Sequence, residues 1–408
     1  MKFDRLKYHA GVIQAALNLE FCGQNDSFSG IGLYPVNLNG QLPNADLIAT
    51  LVYSFYYENL NLWSHDQMFS WNHPNQKLQS YVDNGKKLLS FIWYQALGLP
   101  VQDHAFYQKF KIEAATLKGL RKDEYDRVET YRIGRGIECS LYSLNTLLER
   151  LHHSFWFYLL ASPNQVVLLS IYIGPVIAVS ASLILYGIYL WFSSTDPKSV
   201  VTDEVVEDKY YKRPAAVQIH SVNQHDIIKH IKAFAKVFLH AGGVFYFTNN
   251  LITRYPDGYH GYTFVDVILV IMILARFTKG FVKVPKLNFR TGKSLACLGL
   301  GMMLIALATI NPSLSIIFAI PLVPTFLSLS PKSLISYSML LLCFPVDAIF
   351  IYSHSSSNAL GNELSQFLSP FKSIIQDWIL HGNQLFPLIC CLYYPWILIG
   401  FILVGNED

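Results

Sequence analysis

The hydrophobic pattern divides the chain near residue 165. From Val166 onward, seven apolar stretches approach bilayer length: 166–192, 234–252, 260–277, 294–310, 312–329, 333–353 and 384–404. A helix needs about 20 mostly apolar residues to cross the hydrocarbon core. Before residue 165 the pattern is that of a mixed α/β domain. His9 to Phe21 begins as a small-residue helix (Ala10, Ile13, Ala16, Leu17) and ends as a short strand, Leu17–Phe21. Ile31–Val36 alternates as a strand. Gly40–Asn44 is a turn into a helix over Ala45–Tyr57, with Asn44 as N-cap and Asp46 in the first turn. Asn59–Lys86 is polar and irregular, Lys87–Gly98 is an amphipathic helix stopped by Gly98 and Pro100, and Phe110–Leu117 is a further strand. Tyr125–Leu160 has the pattern of a long helix with an aromatic end, Phe155-Trp156-Phe157-Tyr158. Ser162-Pro163-Asn164 interrupts it before the first span, so this end is expected to lie flat in the headgroup region. The domains expected are 1–125 (α/β), 126–164 (interfacial helical segment) and 165–408 (seven membrane helices).

Charge orients the spans. One set of connecting loops carries thirteen Lys and Arg, from Lys198 through Lys293 to Lys332, while the alternate set carries two, Arg254 and Lys372. Basic loops stay cytoplasmic. Residues 1–165 are therefore expected on the luminal or outer side and the tail at Asp408 in the cytosol. So long a polar segment must be translocated, yet Met1–Tyr8 has no apolar signal core. The expectation is that a signal-anchor precedes these residues in the intact protein.

Composition agrees with a membrane protein. Charged residues are 14% of the chain, against about 25% in soluble domains. The net charge of +3 arises in the basic loops and does not argue for nucleic acid. Four cysteines, Cys297, Cys343, Cys390 and Cys391, lie in apolar stretches as small hydrophobes. Cys22 and Cys139 lie in the first half, and nothing in their spacing demands a bridge. Asn25-Asp26-Ser27 is a glycosylation sequon on the expected luminal side. Prolines recur in or near the spans, where freed carbonyls need neighbouring donors. His240, Asp266 and Asp347 are ionisable groups in or near spans.

Several strings, in order along the chain, resemble one family. They are Gly11-Val12-Ile13-Gln14-Ala15-Ala16 with Leu19-Glu20, Asn39-Gly40-Gln41-Leu42-Pro43-Asn44 with Asp46-Leu47, and Ile112-Glu113-Ala114 with Thr116-Leu117-Lys118-Gly119. Leu147–Phe155 with Phe157–Leu160, Val323-Pro324-Thr325, Leu385–Leu388 and Tyr394-Pro395 follow. Together they are similar to the Gaa1 family of GPI-transamidase subunits. The resemblance covers the second half of that family's luminal domain and the seven helices after it. It implies a multi-pass α-helical membrane protein with an N-terminal α/β luminal domain, part of an M28 zinc-peptidase-like fold. It also implies residence in the endoplasmic reticulum membrane. The implied role is a non-catalytic subunit that recognises GPI and holds the complex together. Its partners would be a caspase-like cysteine protease subunit, PIG-T-, PIG-S- and PIG-U-type subunits, the GPI glycolipid and the proprotein.

Site residues follow from the resemblance. Glu20 and His104, the latter in Asp103-His104-Ala105-Phe106, fall where M28 enzymes place metal ligands. A catalytic zinc site needs about three protein ligands and an open position. Two candidates do not make one, so they are expected to be vestigial, with no metal and no cofactor. Pro395, preceded by Tyr394, matches the last-helix proline linked to GPI recognition in this family. Arg150, His152, His153, Phe155 and Trp156 are expected at the interface. His152 and His153 would point about 100° apart on a helix and do not converge on one metal. The competing readings are a membrane-anchored metallopeptidase, needing ligands upstream of Met1, and a transporter, which would show internal repeats.

Overall fold

A computed structural model describes Ile13 and residues 15–21, 27–60, 62–64, 67–68, 78–99, 102–120, 128–146, 158–162, 165–195, 224–254, 288–343 and 374–405. The chain divides into two units. The first comprises Met1–Gly174 with Asn311–Leu314, the second Pro175–Ile310 with Ser315–Asp408.

The first unit is an α/β domain. Its strands are β1 (Ala15–Glu20), β2 (Ser27–Phe28), β3 (Gly30–Tyr34), β4 (Leu62–Ser64), β5 (Gln67–Met68), β6 (Glu113–Leu120), β7 (Val128–Glu129), β8 (Tyr158–Ser162) and β9 (Gln165–Leu168). Five form a mixed sheet in the order β1-β6-β3-β4-β5. β1 runs parallel to β6, which is antiparallel to β3, and β3 is parallel to β4. β3 is buried along its whole length.

α1 (Ala45–Tyr57) has the predicted limits. Asn44 Oδ1 accepts the Asp46 N–H at 2.9 Å, and the Glu113 carboxylate accepts the Asn44 N–H at 2.7 Å. A carboxylate there opposes the positive end of the helix dipole. Leu47, Ile48, Leu51, Val52 and Phe55 form the buried stripe. The helix ends in a Schellman arrangement, with Asn59 at φ 52°, and the Leu60 N–H returning to the Phe55 carbonyl.

α2 (Leu78–Leu97) starts about two and a half turns before the expected Lys87; its first turns are polar and carry no apolar period to read. It ends at Gly98, whose φ of +55° favours glycine; a Cβ there would also lie 2.5 Å from the Gly40 nitrogen. α3 (Thr130–Asn145) packs on α1, with Gly136 against the Phe55 ring.

Three local expectations are corrected. Ala16 is in strand β1, not helix, because it pairs with Ala114 of β6. Leu62–Ser64 and Gln67–Met68, inside the segment expected to be irregular, are strands of the sheet. The helix expected to run to Leu160 stops at Asn145, and Tyr158–Ser162 is a strand paired with β9. Tyr158, Leu159 and Leu160 fill the core of this unit, and the Tyr158 hydroxyl donates to the Pro43 carbonyl at 3.0 Å. A short apolar run cannot be assigned to helix or strand by its period. Arg150, His152, His153, Phe155 and Trp156 lie outside the described residues, as do Cys22 and Asn25.

The second unit is helical. Its elements are α4 (Leu169–Thr195, beginning in the first unit), α5 (Gln224–Arg254), α6 (Phe289–Ile310), α7 (Pro312–Ser328, beginning in the first unit), α8 (Leu334–Leu342) and the last helix α9 (Leu385–Gly405). Among the described residues, three helices are long and apolar enough to cross a membrane: Ser170–Ser193, Phe289–Ile310 and Leu385–Gly405. Pro312–Ser328 is apolar but shorter. The expected span 260–277, with Asp266, and Asp347 in 333–353 lie outside the described residues. Small residues bring helices close: Gly301 faces Ile184, and the Ser294 hydroxyl donates to the Gly187 carbonyl at 2.6 Å.

Lys293 is not a loop cation as its charge pattern implied. It is buried on α6, where Nζ donates to the Leu327 and Leu329 carbonyls at 2.9 and 2.7 Å and to the Tyr186 hydroxyl at 3.2 Å. A cation bound to the last carbonyls of α7 satisfies groups that a helix end leaves open.

Candidate functional site

Two places hold the residues singled out from sequence. The first is the carboxyl edge of the parallel pair β1 and β6. The register sets Glu20 beside Lys118 and Asn18 beside Thr116. Asn18 Nδ2 donates to Glu20 Oε1 at 3.1 Å and to Thr116 Oγ1 at 3.1 Å. Thr116 Oγ1 in turn lies 2.7 Å from His104 Nδ1. Lys118 Nζ is 3.7 Å from Glu20 Oε2. With its amide turned so that nitrogen faces the carboxylate, Gln102 donates to both Glu20 oxygens, at 2.8 Å to Oε2.

Glu20 and His104 are thus joined through Asn18 and Thr116, by hydrogen bonds. A metal needs lone pairs directed at it. Here the Glu20 oxygens face N–H groups and an ammonium, so the residues present do not fit a zinc site. Among the described residues, no three His, Cys, Asp or Glu side chains group as metal ligands. His104 is fully buried in the short 3-10 segment Asp103–Phe110. Burial pushes its pKa down to about 4, while the Val36 backbone acts weakly the other way. It is neutral at physiological pH. Sequence reasoning missed Asn18, Gln102, Thr116 and Lys118. The roles of Asn18, Thr116 and Lys118 depend on pairing between strands whose partners stand 98 residues apart, and that of Gln102 on the segment leading into Asp103–Phe110.

The second place is the last helix. Between its start at Leu385 and Tyr394 it contains a π turn, Ile389–Tyr393. Pro395 explains the turn: it has no N–H to donate, and its ring would strike the carbonyl four residues earlier. Widening the helix by one residue removes both conflicts, and π turns of this kind recur at functional positions. The turn directs the Tyr393 hydroxyl to the Cys343 carbonyl at the end of α8. The Cys343 thiol and the Thr325 hydroxyl both turn to the Pro321 carbonyl of α7, at 3.3 and 2.8 Å. Tyr394 and Pro395 are buried. Trp396 packs edge-on to Phe238 at 5.6 Å and to Phe326 at 6.3 Å, over Gly299. Tyr394 and Pro395 therefore act on their surroundings through the shape of the helix and its neighbours.

The profile of one family, described as Gaa1-like, GPI transamidase component, matches residues 1–401. The chain belongs to the Gaa1-like family. Over 193 residues it is 29% identical to GPI transamidase component gaa1 of Schizosaccharomyces pombe, a match covering 47% of this chain and 32% of that one. Over 174 residues it is 30% identical to GPI transamidase component GAA1 of Saccharomyces cerevisiae, covering 42% of this chain and 27% of the relative. The match thus spans about a third or less of these relatives. In this Gaa1-like chain, Glu20 and His104 share one hydrogen-bonded network, and Tyr394 and Pro395 follow directly on the π turn. The two sites lie in different units.

Proposed function

We propose that this Gaa1-like chain is a non-catalytic subunit of the GPI-anchor transamidase in the endoplasmic reticulum membrane. Residues 1–165 would face the lumen, followed by seven spans and a cytosolic tail. The chain would recognise the GPI lipid, present it, and hold the complex together while a caspase-like cysteine protease subunit cuts the proprotein. PIG-T-, PIG-S- and PIG-U-type subunits would complete the assembly. The observation that carries this reading is the family match over residues 1–401. The basic-residue asymmetry supports the orientation, and the proline-shaped last helix supports the lipid role. An α/β scaffold of the M28 type would serve binding, since fold does not fix function.

The competing reading is a membrane-anchored M28-type metallopeptidase. The N–H donors around Glu20 speak against it. The test is the double substitution Glu20→Ala and His104→Ala in the intact protein. Transamidation is expected to persist wherever the complex still assembles. Stoichiometric zinc that requires both residues, together with peptidase activity, would replace this reading by the peptidase.

A further inference from the structure

α1 and α3 lie antiparallel. The Arg132 guanidinium, early in α3, donates to the Glu58 carbonyl just after α1, and Arg135 lies 3.3 Å from the Glu58 carboxylate. Further along, Gly136 rests on Phe55. The inner faces of both helices enter the core. Their outer faces do not resemble ordinary solvated helices. On α1, Tyr53 and Tyr57 are 53% and 76% exposed; on α3, Tyr131 and Tyr142 are 62% and 70% exposed, with Leu141 beside them. Positions 53 and 57, and 131, 135, 138 and 142, follow helical spacing, so each set forms a stripe. A Cβ at Gly134 would meet nothing within 4 Å.

Charge narrows the occupant. Neither helix carries a lysine. Among the described residues of the two helices and their caps are two arginines, Arg132 and Arg135, and four acids, Asp46, Glu58, Glu129 and Glu138. Both arginines are engaged with Glu58, and among the described residues the exposed Asp46, Glu129 and Glu138 show no ion pair. Tyrosine and arginine are enriched and lysine depleted where proteins meet proteins. A membrane surface attracts helices rich in Lys and Arg, and this face has an acidic excess. A second copy docked on the same face would set these acids against one another.

We infer that the tyrosine face of α1 and α3 is the docking surface for another protein subunit of the transamidase, one that presents an apolar patch rimmed by lysine or arginine. The inference rests on the subunit role proposed above. The tyrosines would fill the partner's apolar patch, and Asp46, Glu129 and Glu138 would meet its basic rim.

The test places a benzophenone-bearing phenylalanine at Tyr57 or Tyr142 in the full, epitope-tagged protein, in cells without another copy. After irradiation the complex is purified in mild detergent and adducts are identified by mass spectrometry. The expected adduct joins the chain to another transamidase subunit, and Glu138→Lys lowers its yield at least fivefold with membrane insertion unchanged. An adduct only to lipid, to a second copy or within the chain, or none while the chain still co-purifies with the complex, overturns the docking surface. Glu138→Lys without effect on a subunit adduct removes the basic rim and so refutes the stated partner chemistry. If the unsubstituted chain recovers no transamidase subunit, the subunit role itself is wrong, a result distinct from these.

Discussion

Asn311 serves two directions at once: its Oδ1 accepts the Leu314 N–H at 3.0 Å, and its Nδ2 donates to the Gln95 carbonyl at 3.0 Å. The first bond caps α7, where Pro312 takes the first helical position. The second, with a longer bond of 3.3 Å to the Asn39 carbonyl, pins the same side chain to the end of α2 and the Asn39-Gly40 turn, all within the first unit. Gln95 answers with its own amide, which donates to the Gly40 carbonyl at 3.3 Å.

Asn311→Asp separates these roles. It keeps an oxygen for the cap but turns an acceptor toward two carbonyls. Both Asp and Ala leave these carbonyls without their donor, at about 1–3 kcal/mol. Asp keeps the cap, worth ~1 kcal/mol, but sets a buried carboxylate against the carbonyls, and an unpaired buried charge costs more than a lost cap. Asn311→Asp is therefore expected to lower the melting temperature of the detergent-solubilised chain at least as much as Asn311→Ala. A neutral Asp variant would show that the Nδ2 contacts contribute nothing.

Pro395→Ala restores the missing N–H and permits an ordinary α-helix through 389–393. The Tyr393 hydroxyl then leaves the Cys343 carbonyl. The expected result is reduced co-purification of GPI with unchanged recovery of partner subunits. Tyr393→Phe should reproduce part of that loss, because it removes the same hydrogen bond while retaining the proline. Lost subunits with normal GPI recovery would make Pro395 a packing residue.

His104 makes stability depend on pH. Its folded pKa of about 4 lies below the unfolded value of 6.5. Between these values the unfolded chain holds a proton that the folded chain does not, so stability falls as pH drops from about 6.5 to about 4. The full effect is on the order of 3 kcal/mol. His104→Gln should flatten this part of the curve when denaturant midpoints are measured across that range. A slope unchanged by the substitution would assign the acid sensitivity elsewhere.

Legibility followed the range of the interactions. α1 could be read to the residue because its signals are local: Asn44, Asp46 and a helical apolar stripe lie within fourteen residues. The carboxyl-edge network could not, because it needs the register of β1 against β6. Tyr158–Leu160 looked interfacial because aromatic and leucine residues suit both a headgroup layer and a protein core. Its true place depends on a carbonyl at Pro43 and on its strand partner β9. Lys293 counted as a loop charge, since sequence does not reveal that the end of another helix will supply its acceptors. The proline in the last helix was legible as a disturbance, and the kind of disturbance was not.

The π turn also changes how the last helix is to be mapped. One α-helical residue turns the chain by about 100°, so a one-residue widening throws the two parts of α9 out of phase. A wheel drawn through Leu385–Gly405 as a single helix would misplace either Phe386 or Trp396. Yet both are buried, Phe386 tilted against Phe245 and Trp396 edge-on to Phe238, two residues of α5 spaced seven apart. Both halves meet α5 despite that change of phase, and any periodicity in tolerance to substitution along the helix should be counted afresh from Tyr394.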